Sequence, residues 1–147
     1  MVTLQPIQSV SKPDLVSLEK NIGFELPSDY KFFLNESNGG LLKNRIFNVP
    51  DLEQDVLMDV FFAVGATDEE LDLAFLYNEY SDEMPEGSLI IGSDPGGNFL
   101  LLITEGEDAG VYYWDHTHFF PSSDEEGNTY FVAESFTEFI NDLKPLE

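Results

Sequence analysis

Asp115-His116-Thr117-His118 is the stretch where residue type and spacing come nearest to a metal site. On a strand, His116 and His118 share one face within reach of one ion, and Asp115 can orient or join them. No third ligand is identifiable, and two histidines at a strand end are more often ordinary polar residues, so no metal ligand is assigned and no cofactor is expected. Asp124-Glu125-Glu126-Gly127-Asn128 offers oxygens that suit Ca²⁺ but lacks the alternating ligand spacing of an EF-hand loop, and a solvated acidic loop describes it better. Asp94-Pro95-Gly96-Gly97 is glycine-rich enough to cradle a phosphate. A phosphate loop needs a helix after it, however, and Phe99 to Ile103 reads as strand. Asp68-Glu69-Glu70 is better explained by a helix start, and no carboxylate pair stands out for glycoside hydrolysis. There is no Gly-x-Ser-x-Gly, Walker loop or His-Glu-x-x-His, so catalytic residues are none and a non-enzyme is expected.

The elements that must position these residues centre on Leu89 to Ile103, two chargeless apolar runs separated by Ser93-Asp94-Pro95-Gly96-Gly97-Asn98. β-Branched Ile90, Ile91 and Ile103 favour strands. Pro95 pre-sets φ, and Gly96 or Gly97 accepts a positive φ, so the reading is a hairpin whose strands other elements must cover. Before it, a helix is expected from Ser11 or Lys12 with Pro13 in its first turn, ending at Gly23. A second follows Pro27, burying Tyr30, Phe33 and Leu34 and ending at Asn38-Gly39-Gly40. Leu41 to Val49 reads as strand, Asp51 to Asp59 as a polar connection or helical turn, and Val60 to Val64 as a short strand. Thr67 to Glu70 has the pattern of a capping box, opening a helix that turns Leu71, Phe75 and Tyr80 inward. Val111-Tyr112-Tyr113-Trp114 continues the hairpin as a meander, with Tyr112 and Trp114 on one face and Tyr113 on the other. Ser135 caps a last helix whose apolar face is Phe136, Phe139, Ile140 and Leu143. The expected core includes Phe33, Leu34, Ile91, Leu101, Trp114, Phe136 and Phe139.

The chain of 147 residues suits one domain, 1–147, with 1–10 a loose N-terminal segment. The fold class is α+β: a mainly antiparallel sheet flanked by helices. No apolar run is long enough to span a membrane, the start lacks secretory character, and there is no cysteine, so a cytoplasmic protein is expected. Net charge is −23, and no basic residue lies between Ile46 and Leu143, the interval that holds most of the acids. Such a surface repels phosphate backbones and excludes direct nucleic-acid binding, yet it steers a basic partner to fast association. Solubility alone explains the acidity about as well.

Four segments resemble the SUKH superfamily, which groups a fungal cell-wall assembly regulator with bacterial proteins that neutralise toxins. Leu26, Pro27, Tyr30, Gly39 and Gly40 match its opening motif; Gly92, Asp94, Gly97 and Asn98 match its central signature. Trp114 and Asp115 match its "VY.WDH" strand, and Phe136 lies in its closing segment. The resemblance implies a non-enzymatic protein-binding module, an immunity protein for a cognate toxin such as a nuclease; the acidity of this chain fits a basic toxin, and monomer and homodimer both stay open. The alternatives are a regulatory or scaffolding protein of the same superfamily, or a small metal- or ligand-binding domain. Candidate partner-binding acids are Asp68, Glu69, Asp82, Glu83, Glu86, Asp124 and Glu125.

Overall fold

A computed structural model of the protein describes residues 4–5, 13–115 and 129–145. The expected hairpin forms from β3 (Ser88–Ser93) and β4 (Phe99–Ile103), and Gly97 takes φ +90 in the connecting turn. Leu89, Ile90 and Ile91 are all fully buried, so this sheet centre is covered on both faces, as its chargeless run requires.

The sheet grows outward from that hairpin. β2 (Gln54–Phe61) and β1 (Gly40–Val49) lie on one side, β5 (Gly110–Trp114) and β6 (Thr129–Ala133) on the other, and β7 (Lys144–Pro145) pairs with β1. The order β6-β5-β4-β3-β2-β1-β7 is antiparallel throughout. Four interstrand steps separate β5 from β1, about 19 Å if the sheet were flat. Yet the Tyr113 and Phe47 rings are 5.9 Å apart, so the sheet curls and these two face each other inside it.

Adjacent residues divide between the faces. Phe61 turns inward to Phe136 and Phe139, while Phe62 turns outward to Phe99. Tyr113 faces inward, and Trp114 packs outward against Phe99 and Tyr80, confirming the alternation expected of this strand. The inner face is closed by α2 (Ser28–Ser37) and α4 (Phe136–Asp142), and the outer face by α3 (Leu73–Tyr80) with α1 (Leu15–Ile22) beside it. All seven expected core residues are buried. At the end of α2, Gly39 sits at φ +81 where a Cβ would lie 2.6 Å from the carbonyl oxygens of Phe61 and Phe62, so glycine is required.

Three boundaries differ from expectation. The cap of α1 is Asp14, whose carboxylate accepts from the Ser17 amide at 3.0 Å, so Pro13 precedes the helix. Asp51 to Asp59 is mostly β2: Val56, Met58 and Val60 turn into the core while Asp55 and Asp59 face out, an alternation stabilised by pairing with β1. Thr67 to Glu70 opens only a 3-10 turn, Glu69–Leu71, and α3 starts later under Asp72, which accepts from the Phe75 amide at 3.0 Å. That shift rotates the helix, so Leu73 and Leu76 are buried and Phe75 is exposed.

Candidate interaction surface

The hairpin tip is a self-contained polar lock. The Asp94 carboxylate accepts from the backbone amides of Gly96 and Asn98, both at 2.9 Å, and from the Tyr113 hydroxyl at 2.7 Å. Asn98 Nδ2 donates to Asp94 at 3.3 Å and to the Tyr113 oxygen at 3.0 Å. Burial raises the Tyr113 pKa well above its ordinary value, and the hydrogen bond to Asp94 and its charge add to the shift. Both Asp94 carboxylate oxygens and the Tyr113 oxygen are engaged within the network, so its chemistry is structural: it holds β5 against the turn.

Other motif residues also serve the scaffold. Asn38 donates to the Val64 carbonyl at 3.0 Å and accepts from the Val64 amide at 2.8 Å, joining the end of α2 to the strand exit. Leu26, Tyr30, Trp114 and Phe136 are core residues. Gly92 lets β3 approach β2, since a Cβ there would lie 2.6 Å from the Val60 carbonyl oxygen and Met58 Cε.

The acids are arranged differently. Asp68 accepts from the Glu70 amide at 3.0 Å, and Glu69 follows it, just before α3. Asp82 and Glu83 form a 3-10 turn, Ser81–Glu83, just after α3, with Glu86 in the loop beyond. All five are exposed. The structure thus places them at the two ends of one helix of eight residues, about 12 Å long. Glu79 also contributes: after burial, its charge and that of Glu83 raise the Tyr80 pKa. Glu105 lies beside Gly87 and extends the negative region beyond Glu86. Sequence spacing does not reveal Glu105, because strand pairing of β3 with β4 brings it there. Between described residues one ion pair forms, Lys31 with Glu19 at 3.5 Å, and it involves none of these acids. Asp124, Glu125, His116 and His118 lie outside the described residues. Among the described residues no group of three His, Cys, Asp or Glu is arranged to hold a metal, and no helix is long and apolar enough to cross a membrane.

On the opposite side, a groove of about 670 Å³ runs between α2 and α4, floored by Phe33, Phe136 and Leu143. Phe32 projects at its edge with 67% of its surface exposed. Helical periodicity turns Phe33 inward and leaves Phe32 outside, but only the placement of α4 makes a groove of that edge.

A family model described as SMI1-KNR4 cell-wall, of the SUKH group, matches residues 13–140. The SPbeta prophage-derived uncharacterized protein YokK of Bacillus subtilis (strain 168) is 29% identical over 153 residues, covering 90% of this chain and 75% of that protein. No solved structure matches.

Proposed function

The chain belongs to the SUKH family of SMI1-KNR4 cell-wall proteins, and from that premise we propose that it is a non-enzymatic protein-binding module that neutralises a basic toxin by direct binding. The observation that carries this is the exposed acid at both ends of α3, without an ion pair among the described residues, in an interval without a single lysine or arginine. Like charges held together without counter-ions cost stability, which a basic partner relieves on binding. A nuclease toxin fits, because the surface that holds nucleic acid is basic and an acidic inhibitor competes for it. Asp68 accepts a local hydrogen bond from the Glu70 amide, and none of Asp68, Glu69, Asp82, Glu83 and Glu86 forms an ion pair among the described residues, which leaves their charge to a partner.

The test is association kinetics with the protein encoded by the neighbouring gene, at low and high salt, using the triple reversal Asp82→Lys, Glu83→Lys and Glu86→Lys. Steering predicts that the reversal and high salt each slow association about tenfold or more, with smaller effects on dissociation. An association rate indifferent to both leaves the acidity as a solubility feature only.

A further inference from the structure

We infer that the groove between α2 and α4 is the seat of a partner segment in which an apolar residue is flanked by basic ones, an inference that rests on the reading of this chain as a binder of a basic protein. Along α2, Asp29, Phe32 and Glu36 fall at i, i+3 and i+7, so one helix face presents acid, exposed aromatic ring and acid in succession. A monomer gains nothing by holding Phe32 in water beside an apolar floor, whereas a partner side chain seated on Phe33, Phe136 and Leu143 would cover it.

The charge pattern selects the occupant. Asp29 is a fixed acceptor: its Oδ2 receives the Thr137 amide at 3.0 Å and the Thr137 hydroxyl at 2.9 Å, which ties α2 to the start of α4. Glu36 is exposed and has no ion pair among the described residues. A partner helix bearing base, apolar anchor and base at matching spacing complements all three positions. α2 spans ten residues, about 15 Å, room for roughly three turns of such a helix. The lining also includes Arg45 of β1, likewise without an ion pair among the described residues. Arg45 repels the partner's bases and attracts its acceptors, so it sets the direction in which the segment lies. An anionic amphiphile fits poorly, because the acids along α2 oppose it.

The test uses a fluorescent helix-forming peptide of about 15 residues, with leucines at i, i+3 and i+7 between lysines. Two controls replace its leucines with serine or its lysines with glutamate. The lysine–leucine peptide should bind at least about tenfold tighter than either control, and Phe32→Ser should weaken it about tenfold to hundredfold. Glu36→Lys should weaken it too and flatten its salt dependence, and Phe32→Ser, at an exposed position, should leave the thermal midpoint unchanged. If the lysine–serine peptide binds equally well and Phe32→Ser has no effect, the groove is overturned while the electrostatic reading survives. If neither basic peptide binds, both fall. Preference for the glutamate–leucine peptide overturns the inference by reversing its charge sense. Self-association of the protein alone, abolished by Phe32→Ser in sedimentation equilibrium, assigns the groove to a second copy and also overturns it.

Discussion

On the inner face of the sheet, seven-residue α4 places Phe136 with its ring centre 4.9 Å from Phe33 and 5.0 Å from Tyr30, while Phe139 lies 5.3 Å from Phe47. On the outer face, eight-residue α3 buries Leu73 and Leu76, leaves Phe75 exposed, and does not cover Phe131, which packs edge to face against Tyr112. Two helices of similar length therefore bury different side chains, a phenylalanine pair under α4 and a leucine pair under α3. The difference teaches where charge can accumulate. An aromatic interior excludes ions, so the rings packed under α4 are apolar, and the carboxylates beside α3 gather at the exposed ends of that helix.

The sharpest way to break this contrast is Phe136→Ala. Lost transfer energy and the cavity left among Tyr30, Phe33 and Phe61 should cost about 3–5 kcal/mol in denaturant unfolding. A loss below about 1 kcal/mol would show that the inner face is not the stability centre. Next comes Asp94→Ala at the hairpin tip, which strips acceptors from two amides and the Tyr113 hydroxyl. It should cost about 2–3 kcal/mol and speed hydrogen exchange at Gly96 and Asn98.

Tyr30→Phe sharpens the contrast in the other direction. The Tyr30 hydroxyl is buried with no hydrogen-bond partner among the described residues, so its removal should stabilise the protein by about 1 kcal/mol at neutral pH. Burial raises the Tyr30 pKa in the fold, while the unfolded chain titrates near 10.0. The folded state therefore keeps a proton that the unfolded state releases, and stability falls as pH rises above about 10. Tyr113 contributes with the same sign. In Tyr30→Phe the decline above pH 10 should be shallower, as read by chemical denaturation across that range. The smallest effect belongs to Phe75→Ser: at 36% exposure on the α3 side, it should change stability by about 0.5 kcal/mol or less. A cost comparable to that of Phe136→Ala would erase the distinction between the faces.

The parts of this molecule that sequence alone determined are those governed by neighbours a few residues apart. Asp94-Pro95-Gly96-Gly97 between chargeless runs dictates a hairpin, and Gly97 supplies its positive φ. Ser135, accepting from the Glu138 amide at 3.0 Å, starts α4, and the spacing of Phe136, Phe139 and Leu143 sets its buried face. The charge is likewise written in composition. Tertiary structure decided what depends on distant segments. β2 is a strand because β1 pairs with it, although its outward acids read as a polar connection. α3 begins at Leu73 because Ala63 donates to the Leu71 carbonyl and accepts from the Leu73 amide, both at 2.9 Å, which holds the preceding turn away from the helix axis. Glu105 joins the acids near α3 through strand pairing, and Phe32 edges a groove because α4, more than a hundred residues later, docks against α2 through Asp29 and Thr137. Capping and turn chemistry act within about four residues and are legible in order along the chain. Pairing and docking depend on which remote surfaces exclude water together, and no local pattern encodes that choice.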